Sequence, residues 1–164
     1  MKTKIHALIG LLFIGITINL IAQDKKTLLS AGFETEDKVF AEPYIDIDEW
    51  RDTPVKHHYV HGGFKGTETK FSFYFPPKEK YEGHFFQYIT PIPDNENLSQ
   101  NAVTRESDKI GFSIQNGAYF VETNGGGALD FSNPMAKDAT IGAYRANAAC
   151  AQFSRVVAKQ LYGG

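Results

Sequence analysis

Apolar residues recur at every second position through Phe71, Phe73 and Phe75, and at every third or fourth position through Ala146, Cys150, Phe153, Val157 and Leu161. The first spacing puts three aromatic rings on one face of a strand. The second lays one stripe along a helix, predicted over residues 143–162 and closed by Gly163. Pro76 and Pro77 end the strand because neither can donate to a ladder. Ala148, Ala149 and Ala151 leave the helix slim enough to lie close on a sheet.

Upstream, residues 57–61 form another β-rich run, separated from residues 70–75 by Gly62-Gly63-Phe64-Lys65-Gly66-Thr67. Glycines permit positive φ, so a hairpin is predicted with its bend there. Val55-Lys56-His57-His58-Tyr59-Val60 is mixed in polarity and reads as half exposed. Residues 24–49 are polar and read as an irregular arm, with Tyr44-Ile45-Asp46-Ile47-Asp48 its only alternating piece. Residues 81–89 read as an aromatic strand ending at Thr90-Pro91-Ile92-Pro93, and residues 94–101 as a polar loop.

Two readings compete over residues 107–121. Ile110, Phe112 and Ile114 alternate, and Asn116-Gly117 precedes Ala118-Tyr119-Phe120-Val121, the local signal of a hairpin. Alternatively Ser107 caps a helix over residues 108–115 that buries Ile110 and Ile114, with Gly117 just past its end. Local pattern by itself favours the hairpin.

Composition narrows the class. A chain of 164 residues, 42% hydrophobic and 22% charged, has the make-up of one globular domain. The formal net charge is -2 and Lys and Arg are scattered, so no nucleic-acid partner is expected. Lys2 and Lys4 followed by an apolar run at residues 7–18, and Ala22 before Gln23, predict a secretory signal over residues 1–22. Asn19 interrupts a run already too short to span a bilayer, so no stable membrane anchor is expected. With Lys2 and Lys4 removed from the 17 basic residues, 15 remain against 19 acidic ones. The product is expected to be secreted or periplasmic. Cleavage leaves no cysteine at the new terminus, and the single Cys150 can form no intrachain disulfide. It lies on the helix stripe and reads as a buried thiol.

Candidate chemistry is sparse. His57, His58 and His61 follow Asp46 and Asp48, but on a strand His57 and His61 share one face while His58 points to the other. Two ligands do not close a zinc site, so no metal or cofactor is expected. His84 stands near a strand start. Asn124-Gly125-Gly126-Gly127 lets backbone approach a neighbour closely, but it lacks the Lys-Ser/Thr sequel of a phosphate loop.

The stretches KFSFYFPPKEKYEGHFFQYITP, GAYFVETNGGG and AYRANAACAQFSRVVAKQLYG resemble secreted hydrolases related to tannases and feruloyl esterases, over roughly residues 70–164. The resemblance implies an α/β fold, the N-terminal portion of an alpha/beta hydrolase sheet, incomplete and preceded by a β-hairpin and an irregular arm. With the signal at residues 1–22, the chain is expected to divide into an arm and hairpin at 23–69 and the partial hydrolase-like domain at 70–164. It also implies the helix at 107–117 and a parallel pairing of the strands on either side.

In that fold the next strand ends in a Gly-x-Ser-x-Gly elbow. The expectation here is a chain that stops at Gly163-Gly164 before that point. None of Ser30, Ser72, Ser99, Ser107, Ser113, Ser132 and Ser154 stands in such a pattern. The resemblance thus implies a serine carboxylic-ester hydrolase fragment, inactive alone, whose small-molecule ester substrate would need the missing half. Its loop after the second aromatic strand would supply an oxyanion donor. Pro91 and Pro93 have no N–H, so the donor would come from Thr90 or Ile92. An HGG tripeptide also carries oxyanion backbone in some serine esterases, but His61-Gly62-Gly63 reads as turn chemistry here. The alternative is a secreted β-rich module, an antiparallel sandwich binding carbohydrate or protein through exposed Tyr44, Trp50, Tyr59 and Tyr81.

Overall fold

The computed structural model describes residues 31–90, 95–101, 108–128, 132–133 and 138–163. The predicted signal segment, Ser30, Ile92 and Ser107 lie outside these. The described residues build one five-stranded mixed sheet. Its strands are β1 (Pro43–Arg51), β2 (His57–Phe64), β3 (Lys70–Phe75), β4 (His84–Gln87) and β5 (Ala118–Thr123), in spatial order β1-β2-β3-β5-β4. The first three pair antiparallel, β5 joins β3 antiparallel, and β4 lies parallel to β5 at the edge. This is a single mixed sheet carrying helices and not the antiparallel sandwich of the alternative reading.

The helix reading of residues 107–117 holds, except that the cap is Asp108 and not the expected Ser107. Helix α1 (Lys109–Gln115) is capped by Asp108, whose side chain accepts from the Gly111 N–H at 2.7 Å. Gly117, with φ of 66°, follows it as expected. Local alternation loses because Ile110 and Ile114, four residues apart, face Tyr59, Tyr74 and Phe120 of the sheet. Helix α2 (Ala146–Tyr162) is entered through a π-helical turn, Ile141–Arg145, and ends at Gly163 in the left-handed region. Ala146, Cys150, Phe153 and Val157 are all fully buried, as the stripe predicts.

The two helices cover opposite faces. On one, α2 packs on Val60, Phe71, Phe73, Phe75, Tyr119 and Val121, with Phe33, Phe40 and Phe64 closing the layer. Phe153 is its hub, its ring lying 5.2–6.1 Å from those of Phe33, Phe64, Phe71 and Phe73. On the other face α1 is joined by residues 95–101, which include the 3-10 turn Leu98–Asn101.

Four expectations are overturned. The arm is not irregular throughout, because residues 43–51 are β1, in register with β2 apart from a bulge between Ile45 and Ile47. As an edge strand β1 is only half-buried, and the alternating piece at residues 44–48 covers only part of it. His57, His58, Tyr59 and Val60 are not half exposed but buried, since both faces of β2 are covered. The His61-Gly62-Gly63 tripeptide lies inside β2, and the bend falls later, at Lys65, Gly66 and Thr67. Among the four aromatics expected at the surface, Trp50 is exposed. Tyr59 is buried, while Tyr44 and Tyr81 are half-buried, the latter stacked on Tyr162 at 4.0 Å.

Candidate functional site

In open α/β sheets ligands gather at the carboxyl ends of parallel strands, because loops diverge there to opposite faces. Here those ends belong to β4 and β5, whose connections pass to α1 and α2 on opposite sides. Asn147, in the first turn of α2, ties the two ends together. Its carbonyl oxygen accepts from Gln87 Nε2 at 2.9 Å, and its Oδ1 accepts from Thr123 Oγ1 at 2.7 Å. Nothing in the sequence marks Asn147, which sits among alanines on a helix stripe.

The glycine loop behind Thr123 is shaped from within. The Gly125 N–H donates to Thr123 Oγ1, the Gly126 N–H to Asn124 Oδ1 and the Gly127 N–H to the Asn124 carbonyl. With three N–H groups already engaged, the loop is no phosphate cradle. The close approaches are to Ile141 and Glu68: a Cβ on Gly126 would stand 2.9 Å from Ile141 Cγ2, and one on Gly127 2.5 Å from Glu68 Oε2.

Thr90, the predicted oxyanion donor, is half-buried three residues beyond β4. The predicted companion Ile92 falls outside the described residues. Between β4, β5 and α1, Phe86, Tyr88, Lys109, Phe112 and Phe120 line a groove of about 300 Å³. The Lys109 ammonium stands 4.5 Å from the centre of the Tyr88 ring.

Among the described residues Ser72, Ser113 and Ser154 are arranged as structural groups. Ser72 is fully buried in β3, where Ser72 Oγ donates to Asn97 Oδ1 at 2.9 Å and meets the Tyr59 hydroxyl at 3.0 Å. Ser154 is buried in α2 and donates to the Ala151 carbonyl, and Ser113 donates to the Lys109 carbonyl one turn back. None of these three occupies a strained strand-to-helix turn that would present its hydroxyl to a histidine.

A second polar cluster, missed in the sequence, lies under residues 95–101. Glu122 is 1% exposed and accepts from the Ser99 N–H at 3.0 Å and Ser99 Oγ at 3.1 Å. Burial pushes its carboxyl up to about 7, against the Ser99 hydrogen bonds that favour the anion. Gln100 Nε2 donates to the hydroxyls of Tyr59 and Tyr74 at 3.2 and 3.1 Å. Burial, then the nearby Glu122 carboxylate, raises the Tyr74 hydroxyl well above its ordinary value.

The histidines separate as strand alternation requires. His58 pairs with Asp48 on the α2 face and stacks on Trp50. His57 Nδ1 meets the Val55 carbonyl at 2.7 Å, and burial holds its imidazole below the ordinary value. His61 stands between two carboxylates, with Nδ1 2.5 Å from Asp46 Oδ1 and Nε2 3.1 Å from Glu96 Oε1. Among the described residues no group of three or more His, Cys, Asp or Glu is placed to hold a metal ion. Cys150 is fully buried, which raises its thiol far above the ordinary value. No helix among the described residues is long and apolar enough to cross a membrane.

No protein-family model and no curated protein matches the sequence. Among solved structures the chain is similar to tannin acyl hydrolase from Aspergillus niger, with a TM-score of 0.57 and 11% sequence identity. The likeness covers 84% of this chain and 29% of that one, so this chain spans less than a third of the hydrolase it is similar to. At that identity the likeness concerns the fold alone.

Proposed function

We propose that this chain is the N-terminal sheet portion of a secreted carboxylic-ester hydrolase of the tannase and feruloyl esterase kind. The observation that carries the reading is the likeness to part of tannin acyl hydrolase. The β4-α1-β5-α2 order supports it, since a parallel pair with helices on opposite faces is the start of a doubly wound sheet. In this reading the signal over residues 1–22 directs export, and the backbone N–H of Thr90 or Ile92 is an oxyanion donor.

The nucleophile, its acid and its histidine would be carried by residues beyond these 164. Among the described strands β4 is paired on one face of its ladder only, with β5, so its outer edge can accept a further parallel strand. Phe86, Ile89 and Phe112, 41%, 59% and 59% exposed, lie at or near that edge and would be covered by it.

The reading is tested on the coding DNA and on the purified chain. A Gly-x-Ser-x-Gly coding stretch downstream of the Gly164 codon, followed by Asp and His, is the expected result. Its absence from all frames would remove the hydrolase reading. The isolated chain should leave p-nitrophenyl esters at background. Turnover abolished by a serine-directed phosphonate would place the nucleophile inside the chain instead.

A further inference from the structure

Residues 95–101 lie across one face of the sheet and are joined to it through side chains at both of their ends. At one end Glu96 reaches His61 of β2; at the other Ser99 gives Glu122 of β5 two donors. Between them Asn97 Oδ1 accepts from the Tyr59 hydroxyl at 3.0 Å and from Ser72 Oγ. The segment has almost no apolar anchor of its own, so these polar contacts decide whether it stays.

His61 is the contact that a proton controls. Both of its ring nitrogens face carboxylate oxygens, so each must carry a proton to donate, and the ring must be the imidazolium. Removing one proton leaves a lone pair against a carboxylate. Asp46 sits in β1, at the bulge between Ile45 and Ile47, which both pair with β2, whereas Glu96 sits on the irregular segment, so Glu96 is the partner that leaves. We infer that residues 95–101 are a pH-sensitive strap, closed while protonated His61 bridges Asp46 and Glu96, and lifting from Tyr59, Ser72 and Glu122 when that bridge loses its proton.

The charges around His61 agree in sign. Burial opposes the imidazolium, but the hydrogen bonds to Glu96 and Asp46 and their charges outweigh it, leaving His61 above 6.5. Glu96 is held below its ordinary value, first by His61 and to a smaller extent by Lys70. Around Glu122 the charged or titratable neighbours are Tyr74 and, on α1, Lys109. Arg51 completes the surround, with Nη1 donating to Gln100 Oε1 and its guanidinium over the Tyr59 ring. His61 takes its proton more readily in the closed form than in free solution, because the strap's Glu96 faces it, whereas at Glu122 the Ser99 donors favour the anion and burial raises the value. By linkage at His61 the closed strap is favoured at low pH and weakened as pH rises through its raised folded value.

The inference is independent of the hydrolase reading, and hydrogen exchange on the full chain tests it. After correction for the intrinsic rate, protection of the Ser99 amide should fall about tenfold or more between roughly pH 5.5 and 8.5, while Val121 in the sheet centre keeps its protection. Equal Ser99 protection at both pH values, or a fall shared by Val121, would overturn the strap. His61→Gln should leave Ser99 weakly protected at both pH values. Where that variant does not fold, Glu96→Gln removes the strap's own half of the bridge and should likewise abolish the pH dependence. A wild-type profile in either folded variant would show that the proton lies elsewhere.

Discussion

Gly62 and Tyr44 meet with no room for a side chain between them: a Cβ on Gly62 would stand 1.9 Å from the Tyr44 carbonyl oxygen and 2.8 Å from Cζ of Phe71. The middle residue of the HGG tripeptide is therefore a contact between strands, next to the bulge that shifts the β1 register. Its glycine is required by packing across the ladder.

Gly62→Ala should accordingly cost about 3 kcal/mol, the upper end for overpacking, because the obstructing atom is backbone. Gly66→Ala is the control. That residue has φ of 74° and nothing within 4 Å of an added Cβ, so only the left-handed strain of about 1 kcal/mol applies. Urea denaturation midpoints of the two variants check the difference. Equal losses would mean that β1 simply moves away.

Phe153→Ala should destabilise by about 3–5 kcal/mol, the range for emptying a buried aromatic site. Its ring bridges α2 to β2 and β3 and also to Phe33 in the segment ahead of β1. The loss should therefore appear as one cooperative transition at lower denaturant. A separate early transition would show that α2 unfolds by itself.

The two histidines on one face of β2 should titrate on opposite sides of 6.5, because burial lowers His57 while carboxylates raise His61. The signs of their stability contributions differ accordingly. His61 stabilises the fold below 6.5 and loses that contribution as pH rises through its raised value. His57 supports the fold above 6.5 and loses its contribution as pH falls through its lowered value. Imidazole Cε1–H shifts followed by NMR through pH separate them. A common midpoint would contradict both environments.

Cys150 should resist thiol reagents in the native state and react stoichiometrically once the chain unfolds. Burial raises the thiol and also blocks access, so little thiolate is present to attack. Labelling with a chromogenic disulfide across a urea gradient should trace the same curve as circular dichroism. Rapid labelling of the native chain would place α2 away from the sheet.

A periodic pattern was enough to locate the helix of Ala146, Cys150, Phe153 and Val157, the β3 strand of alternating phenylalanines and the hairpin joining β2 to β3. Each buries a face whose period is written in the residues themselves. Helix α1 lay between two readings, because Ile110, Phe112 and Ile114 satisfy alternation while Ile110 and Ile114 also satisfy helical spacing. The apolar surface of Tyr59, Tyr74 and Phe120 beneath it decided the matter.

Tertiary structure alone decided the remainder. Strand β1 mixes apolar and charged residues at an edge, and of its length only the alternation over residues 44–48 was legible before its ladder with β2. Burial of the polar run His57-His58-Tyr59 depends on covers that come from distant segments, α2 on one side and residues 95–101 on the other. The pairing of His61 with Glu96, of Glu122 with Ser99 and of Asn147 with both parallel strand ends joins residues 23 to 60 positions apart. Local sequence sets the period of an element, but which polar atoms meet is set by how the elements stack, and no periodicity records that.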